Sequence, residues 1–329
     1  MSFVEVVSCG IASVQDLGRR GYRALGVPVS GAMDRLAAAY ANALVGNDPR
    51  EAVIEVIGSG IELMFFSSAI VAVTGAKCVV ELDGAEVREW QPIRARAGSR
   101  LRVSPPMHGF VTYIAVSGGI DVEPVLGSRA TYARAGFGGF EGRYLRSGDR
   151  LPLKPIDIDS TWRRVSGMIA PDYVRLARAP LGVVELRVTK GVNSDLFEDI
   201  DSMLRATYTV SPQSDRMGYR LEGPKLESAT KLGRLPSLPV DRGYVQVPPS
   251  GLPIVLMSDS QTTGGYAVAL HVLPPDVDKL AQCPPGTQVR FVEVDYEEAE
   301  KAVRRYLEDL EKPELVSVEE ESEYAYYVS

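Results

Sequence analysis

The 329-residue chain is poor in the residues that build most metal and redox centres, since it has only three Cys and two His. Cys9, Cys78 and Cys283 are far apart and no Cys-x-x-Cys occurs, which excludes a zinc ribbon and a dithiol redox motif. His108 and His271 lie beside no nucleophile in the sequence, so we expect structural or exposed side chains there. We therefore expect three reduced thiols, as in a cytoplasmic protein, and no metal site.

Long apolar runs are also lacking. The most apolar stretch, Leu63 to Val73, is interrupted by Ser67 and Ser68, and it is shorter than the roughly 20 residues that a membrane-spanning helix needs. No basic region followed by an apolar stretch occurs at the N-terminus, so no signal peptide is predicted. The net charge of −7 gives no general attraction to nucleic acid or to an anionic membrane. We expect a cytoplasmic protein with neither as a partner.

The common nucleotide and cofactor motifs are absent as well. No Gly-x-x-x-x-Gly-Lys-Ser/Thr phosphate loop occurs, and no Gly-x-Gly-x-x-Gly follows a strand and opens a helix. There is no His-Glu-x-x-His zinc motif, and no Lys lies between two Met, the context of a biotin-carrying lysine. These motifs therefore assign no nucleotide, metal or biotin to this chain.

What the sequence does contain is a series of short β-like runs, separated by many of its 31 Gly and 22 Pro. Many short strands with tight turns are typical of barrels and sandwiches, so we predict a mainly β fold. The predicted strands are Ala69–Thr74, Cys78–Leu82, Arg100–Val103, Val111–Val116, Val183–Val188, Ile254–Met257 and Gln288–Val294. Apolar spacing and capping residues predict three helices, Ala32–Val45, Asn193–Leu204 and Tyr296–Leu310.

The length and an internal repeat predict two domains. A chain of 329 residues exceeds the size at which one hydrophobic core keeps growing. The pattern Gly-Tyr-Arg-x-x-Gly occurs at 21–26 and again at 218–223, which suits two related domains in tandem. Four Pro between 152 and 180 mark the boundary. We predict an N-terminal domain at 1–155, a linker at 156–180, a C-terminal domain with a terminal helix at 181–311, and a mobile or partner-docking acidic Tyr-rich tail at 312–329.

The sequence contains three polar, glycine-rich segments with candidate site residues, and two of them are 13–34 and 258–266. In the first, 13–34, either the glycines form a turn that caps the following helix, or Gln15, Asp16 and Arg19 line a cleft that the ligand approaches closely. The second, 258–266, combines Asp259 and Gln261 with hydroxyl residues and two Gly. As a loop, it would offer N–H and O–H donors to a carboxylate, a phosphate or an oxyanion. The alternative for this segment is an ordinary surface turn.

The third polar segment, 211–223, contains two arginines, Arg216 and Arg220, and Gln246-Val-Pro-Pro-Ser-Gly251 follows downstream. Either arginine could bind a substrate carboxylate through two parallel N–H bonds. Alternatively, an Asp–Arg pair ties a single turn. The residues alone leave both readings open.

Together these segments resemble the biotin-dependent carboxyltransferase-like family, which includes the C component of 5-oxoprolinase, the KipI antagonist and the second component of allophanate hydrolase. The resemblance runs from about Val4 to about Ala302. The matching pieces in the first half are Val14–Tyr22, Pro28–Asp34, Asn42–Asn47, Glu55, Thr74–Ala76, Ala115–Ile120, Leu126–Arg129 with Thr131, and Gly138–Arg143. Those in the second half are Ser214–Gly218, Leu221–Gly223, Gln246–Pro249, Asp259 and Gln261–Tyr266.

The resemblance implies a fold of two tandem cyclophilin-like β-barrels with a few short helices. It also implies one component of an ATP-dependent 5-oxoprolinase, which opens 5-oxo-L-proline to L-glutamate. The partners would be a KipI-like B component and a LamB/YcsF-like A component of the same enzyme. ATP would be bound by the complex, in a component that this sequence does not identify.

The resemblance, read with the residue types, implies roles for individual side chains. Gln261, Thr262, Thr263 and the Gly264–Gly265 backbone would stabilise negative charge, Arg19 and Arg216 would hold anions, and Asp16 and Asp259 would be bases or positioning groups. The implied substrate-binding residues are Gln15, Ser30, Asp34, Ser128, Arg129, Ser214, Asp215, Gln246, Gly264, Gly265 and Tyr266.

Two other functions remain open from the sequence. One is a biotin-dependent carboxyltransferase of the urea carboxylase or allophanate hydrolase type, with the biotin on a partner. The other is a non-catalytic regulator that binds a KipI-like protein.

Overall fold

The computed structural model describes residues 2–175, 178, 182–232 and 235–318. These residues form 20 strands and seven helices, and the prediction of a mainly β protein is confirmed. They divide into two compact units. The first unit consists of the described parts of Met1–Gly18, Asp34–Ala179 and Glu308–Ser329, and the second unit of the described parts of Arg19–Met33 and Pro180–Leu307.

The first unit contains a nine-stranded, nearly closed antiparallel barrel. Its strands are β1 (Phe3–Gln15), β2 (Val53–Phe65), β3 (Ala69–Lys77), β4 (Val80–Leu82), β5 (Ala85–Val87), β6 (Ile93–Ala95), β7 (Arg100–Val103), β8 (His108–Val116) and β9 (Arg150–Pro152). Seven of them pair in the order β5-β4-β7-β2-β8-β3-β6, and β1 pairs with β2 and β9. Inward-facing Val, Ile and Leu side chains fill one hydrophobic core.

Three helices belong to the first unit: α1 (Arg35–Leu44), α2 (Ile158–Val165) and α3 (Asp172–Arg175). Helix α1 confirms the predicted helix at 32–45, although it begins later because the Asp34 side chain accepts the Ala37 N–H at 3.0 Å and so caps its N-terminus. The Thr74 hydroxyl of β3 donates to the Ala37 carbonyl at 2.7 Å, so β3 is covered on both faces and reads as a continuous apolar run. Helices α2 and α3 lie in the segment predicted as a linker.

The second unit contains a closed seven-stranded barrel. Its strands follow the order β11-β18-β15-β16-β13-β12-β19. In chain order the strands of this unit are β11 (Val184–Lys190), β12 (Thr207–Val210), β13 (Gly218–Glu222), β14 (Leu238–Pro239), β15 (Tyr244–Val247), β16 (Ile254–Leu256), β17 (Thr263–Gly264), β18 (Ala267–Val272) and β19 (Gln288–Glu293). Strands β14 and β17 form a separate two-stranded ribbon. The two expected barrels are therefore both present.

The remaining helices are α4 (Ile200–Arg205), α5 (Glu227–Leu232), α6 (Pro274–Ala281) and α7 (Tyr296–Glu311). Helix α7 confirms the prediction at 296–310. A continuous helix at 193–204 is wrong, because a 3-10 turn at Ser194–Leu196 and helix α4 are separated by an extended Phe197. Among the described residues, no helix combines the length and apolar composition that a membrane span requires.

The start of the tail is ordered within the chain. Strand β10 (Met168–Ile169) pairs antiparallel with β20 (Val316–Ser317). Residues 319–329, the rest of the predicted mobile or docking tail, lie outside the described residues. The predicted domain boundaries stay a prediction, but Arg19–Met33 groups with the second unit although it lies early in the chain.

Candidate functional site

The predicted site residues lie in both units, and each group has its own geometry. In the first unit, Asp16 receives three hydrogen bonds at the end of β1. Its Oδ1 accepts the Ser128 hydroxyl at 2.7 Å and the Gly18 N–H at 2.7 Å, and its Oδ2 accepts the Arg129 N–H at 2.6 Å. Asp16 is 8% exposed. This carboxylate therefore ties β1 to the Ser128–Arg129 turn, which favours positioning among the two roles expected for it.

Gln15 lies beside Asp16 and is almost fully buried. Its amide nitrogen donates to the Ser13 hydroxyl at 3.0 Å and to the Thr131 carbonyl at 3.2 Å. Its Oε1 has no hydrogen-bond partner among the described residues. The Arg129 side chain turns to the Val122 carbonyl at 2.8 Å. Gln15 and Asp16 therefore both bond to the segment that contains Ser128 and Thr131.

Asp34 belongs to a buried polar network in the same unit. Besides capping α1, it accepts two hydrogen bonds from the Arg178 guanidinium, at 3.0 and 3.2 Å. Its N–H donates to the Tyr113 hydroxyl at 2.7 Å, and that hydroxyl donates to Glu55 Oε2 at 2.8 Å. Burial, assisted by the charges of Glu55 and Asp34, raises the pKa of the Tyr113 hydroxyl well above its usual value, so it remains a donor. Asp34 is fully buried, and it stabilises this unit by capping α1 and by pairing with Arg178. Its contact with substrate stays a prediction.

In the second unit, Arg216 and Asp259 form a buried two-point ion pair. Arg216 Nε donates to Asp259 Oδ2 at 2.8 Å and Arg216 Nη2 donates to Asp259 Oδ1 at 3.0 Å. The two residues are 6% and 8% exposed. The Oδ1 of the adjacent Asp215 accepts the N–H groups of Met217 and Gly218. Both oxygens of Asp259 accept from Arg216, which favours a positioning role for Asp259 rather than a base.

Residues 30–33, which we call the clamped segment, are held by side chains of the second unit. The donors to three consecutive carbonyls are Arg216 Nη2 to Gly31 (2.7 Å), Ser258 Oγ to Ala32 (3.0 Å) and Arg242 Nη2 to Met33 (2.6 Å). The Ser30 N–H donates to the Ser258 carbonyl at 2.9 Å. These bonds explain why a segment from the first half of the sequence groups with the second unit.

Ser30 itself has an unusual conformation. Its φ is +56°, in the left-handed region that non-glycine residues seldom adopt. Its side chain is fully buried, and its hydroxyl has no hydrogen-bond partner among the described residues. Backbone strain combined with an unsatisfied buried hydroxyl is a feature of binding sites. The contact of Ser30 with substrate stays a prediction.

Two glutamines and a glycine form a second polar group in this unit. Gln261 Nε2 donates to Gln246 Oε1 at 3.0 Å, and Gln246 is 1% exposed. A Cβ at position 264 would lie 2.5 Å from Gln246 Nε2, so any other residue there requires the end of the Gln246 side chain to move. The hydroxyls of Thr262 and Thr263 make no hydrogen bond to the described residues, so both are available donors. The structure thus places Gln246, Gln261 and Gly264 in contact.

The other predicted residues of the second unit have mainly local contacts. The Ser214 hydroxyl accepts the Arg220 N–H at 3.0 Å and closes the turn that presents Arg216. The Gly265 carbonyl accepts the Leu235 N–H at 3.0 Å, and Tyr266 is 40% exposed. Arg19 is 1% exposed, and its N–H donates to the Val29 carbonyl at 2.8 Å.

Several residues in these networks were not predicted. In the second unit they are Ser258, Arg242, Asp278 and Tyr306. Arg242 Nη2 donates to Asp278 Oδ1 at 2.7 Å, and the Tyr306 hydroxyl donates to Asp278 Oδ2 at 3.1 Å. In the first unit, Tyr113, Glu55 and Arg178 were missed as a network. Ser258 lies within the predicted polar segment 258–266 but was not named as a site residue, and nothing in the sequence pairs Arg242 with Asp278.

Burial dominates the surroundings of the thiols and of His271. Cys9, Cys78 and Cys283 are free thiols, and burial raises the pKa of Cys78 to about 11 and of Cys283 to about 12. Burial lowers the pKa of His271, which packs edge-on against Tyr244. In the described residues no group of three or more His, Cys, Asp or Glu is placed to hold a metal ion.

The first unit also contains an open cavity of about 690 Å³, lined in part by Lys77, Cys78, Glu89, Trp90 and Arg175. None of the predicted site residues lines this cavity. Volume alone does not select this cavity as the site.

The sequence matches the family of the carboxyltransferase domain, subdomain A and B, over residues 25–293. It is 38% identical to the C component of the 5-oxoprolinase of Escherichia coli strain K12, over 93% of this chain and 97% of the relative. It is 36% identical to the C component of the 5-oxoprolinase of Haemophilus influenzae, over 92% and 95% of the two chains. The crystal structure of the urea amidolyase of K. lactis matches with a TM-score of 0.83 and 28% identity, over 95% of this chain and 20% of that one.

Proposed function

This chain belongs to the carboxyltransferase domain family, subdomain A and B, as its motifs predicted, and we propose that it is the C component of a 5-oxoprolinase. The observation that carries the proposal is the similarity to the corresponding Escherichia coli protein, which extends over 93% of one chain and 97% of the other. Almost no part of either protein is left without a counterpart. The similarity to urea amidolyase, by contrast, accounts for a fifth of that enzyme.

As one component of an enzyme, the chain would act in a complex. We propose a KipI-like B component and a LamB/YcsF-like A component as its partners, with ATP bound by the assembled complex. The reaction would open the lactam of 5-oxo-L-proline to L-glutamate and hydrolyse ATP to ADP and phosphate. One water would open the ring and a second would accept the phosphoryl group.

The chemistry requires ATP because a lactam is a resonance-stabilised amide that water attacks poorly. Transfer of the γ-phosphoryl group to the lactam oxygen releases ADP and makes the ring carbon a better electrophile. Water then adds to that carbon, the C–N bond breaks, and the nitrogen takes up a proton. Hydrolysis of the remaining acyl phosphate gives glutamate and phosphate. The phosphoryl transfer and the hydrolysis of the acyl phosphate both place negative charge on oxygen atoms, which fixed N–H and O–H donors stabilise.

The second unit supplies suitable groups. The hydroxyls of Thr262 and Thr263 are available donors, and the Gln261–Gln246 contact fixes one amide beside them. Arg216 carries a permanent positive charge but gives three of its N–H groups to Asp259 and Gly31. We propose that Arg216 contributes mainly positive potential and a fixed backbone, while Thr262 and Thr263 contact the substrate's oxygens.

The test is to purify the chain with its neighbouring gene products and to measure ATP-dependent release of glutamate from 5-oxo-L-proline. We expect release only when all components are present, and a loss of at least about tenfold in kcat for Arg216→Ala. Arg220→Ala is the matched control, since Arg220 is an exposed arginine four residues away on β13, and it should retain activity. Equal glutamate release without this chain would rule out the proposal.

The structural match to urea amidolyase favours one alternative, carboxyl transfer from a biotinylated partner to an amide nitrogen. Replacing 5-oxo-L-proline with urea and bicarbonate, in the presence of a biotin carboxylase partner, tests it in the same assay. Binding of the chain to the KipI-like component without any turnover would instead select the regulatory alternative.

A further inference from the structure

The clamped segment is restrained by side-chain hydrogen bonds to successive residues of its backbone. Three successive carbonyls, those of residues 31–33, accept from three side chains that come from separate parts of the second unit. Each of these bonds restrains one peptide plane of the segment. The residue held at the start of the segment is Ser30, in a strained conformation and with its buried hydroxyl unsatisfied in the described part of the chain.

Arg242 has a particular place among the three donors. A single nitrogen, Nη2, donates to the Met33 carbonyl at 2.6 Å and to Asp278 Oδ1 at 2.7 Å. Asp278 lies in α6 and is fully buried, and it also accepts from the Tyr306 hydroxyl of α7. The chain of contacts Tyr306–Asp278–Arg242 therefore ends on the backbone of the clamped segment.

A buried ion pair is weak evidence for stability, since desolvation of both charges opposes their attraction. Its geometric precision is of more use where a backbone must be held in a strained conformation. We propose that Arg242 is a positioning residue for the reaction: it fixes the clamped segment so that the Ser30 hydroxyl meets the substrate. This inference rests on the proposed function for its substrate.

The same helix offers a matched control. Asp276, two residues before Asp278, is also fully buried and pairs with Arg187 at 2.7 Å. Asp276 keeps Lys279 when Arg187 is removed, as Asp278 keeps Tyr306 when Arg242 is removed. Arg187 donates to no carbonyl of the clamped segment among the described residues. Arg187→Ala thus breaks a similar ion pair without releasing the segment.

The experiment compares Arg242→Ala and Arg187→Ala in the assembled complex by kcat, KM and hydrogen–deuterium exchange. Since a displacement near 1 Å in a site costs up to about 100-fold in rate, we expect kcat to fall about 10- to 100-fold in Arg242→Ala with KM nearly unchanged. Exchange of the Ser30 amide, which donates to Ser258, should rise at least about tenfold. Arg187→Ala should leave both quantities unchanged.

Coupling to Ser30 gives a second readout. If Arg242 acts through Ser30, the double variant Ser30→Ala/Arg242→Ala loses no more kcat than the worse single variant. If the losses of kcat in the two single variants multiply in the double variant, the inference is overturned. Equal kcat in Arg242→Ala and Arg187→Ala would overturn it as well. Should Arg242→Ala fail to fold, Tyr306→Phe removes one donor to Asp278, and a smaller change in the same direction is expected.

The two proposals can fail separately. If the native complex does not turn over 5-oxo-L-proline, the proposed function is wrong, and exchange at the Ser30 amide still decides whether Arg242 holds the segment. If the native complex is active but Arg242→Ala changes neither kcat nor exchange, the positioning role is wrong and the proposed function stands.

Discussion

The guanidinium of Arg216 and the carboxylate of Asp259 share two parallel hydrogen bonds, at 2.8 and 3.0 Å, in a place where both residues are more than nine-tenths buried. A main-chain bond from Asp259 N–H to the Arg216 carbonyl, at 2.8 Å, fixes the relation further. Since Arg216 also holds Gly31, this pair connects two polar segments of the site with the clamped segment. Its charge balance is therefore the first property to test.

We expect Asp259→Asn to lower the free energy of unfolding by several kcal/mol. The amide keeps the shape of the carboxylate but not its charge, and removing one partner of a buried ion pair costs about 3–5 kcal/mol. Urea unfolding of the purified chain measures the loss. The control is Glu185→Gln, which breaks the exposed pair with Arg290 and should cost less than about 1 kcal/mol. Equal losses in the two variants would contradict the importance of burial.

The glycine at 264 gives a prediction about activity. In Gly264→Ala the new Cβ would lie 2.5 Å from Gln246 Nε2, so the end of the Gln246 side chain must move, and we expect this movement to disturb its hydrogen bond with Gln261. We expect kcat of the assembled complex to fall about tenfold, a typical loss for one misplaced donor. In a Gln246→Ala background the same change meets no side chain and should cost much less. If Gly264→Ala lowers kcat by the same factor in the native chain and in the Gln246→Ala background, the steric contact with Gln246 is not the cause.

The sequence predicts an element well where one regular pattern runs through it without interruption. Strand β7 was predicted with its observed bounds from a short β-like run, and in the structure its residues alternate between exposed and buried. The 13-residue strand β1 was missed, because register shifts between Val6 and Ser8 and between Cys9 and Ile11 interrupt its alternation. The Gly-Tyr-Arg-x-x-Gly repeat indicated two domains, but could not show that Arg19–Met33 groups with the second unit.

The candidate site divides in the same way. Local composition identified the segments around Asp16, Arg216 and Asp259, since clustered polar residues and glycines are visible in the sequence. Pairings could not be predicted, because Arg216 and Asp259 are separated by 43 residues in the sequence. The partners of Arg242 depend on where α6 and α7 lie, which no local pattern contains.

Asp34 and Asp157 cap helices α1 and α2 in similar ways, yet their replacement should differ in cost. Asp157 accepts the Ser160 N–H at 3.1 Å at an exposed position, so Asp157→Ala should cost about 1 kcal/mol. Asp34 also binds Arg178 with both oxygens in a fully buried place. Asp34→Ala should therefore cost about 3–5 kcal/mol more. Thermal or urea unfolding of both variants measures the difference, and similar losses would mean that Arg178 finds other compensation.

The buried Cys283 predicts how stability depends on pH. Burial, slightly offset by Lys279, raises the pKa of this thiol from 9.0 to about 12. Above pH 9 the unfolded chain loses the thiol proton while the folded chain keeps it, so the unfolded state gains stability as the pH rises towards 12. Between pH 8 and pH 10 this single group should remove about 1 kcal/mol from the free energy of unfolding.

Other groups titrate in the same range, so the measured quantity is the difference between the native chain and Cys283→Ala. That variant loses some packing at every pH, but its stability should fall less steeply between pH 8 and pH 10. The free energy of unfolding of both chains is measured by urea unfolding at pH 8 and at pH 10. An equal loss between the two pH values in both chains would contradict a thiol that stays protonated in the folded chain.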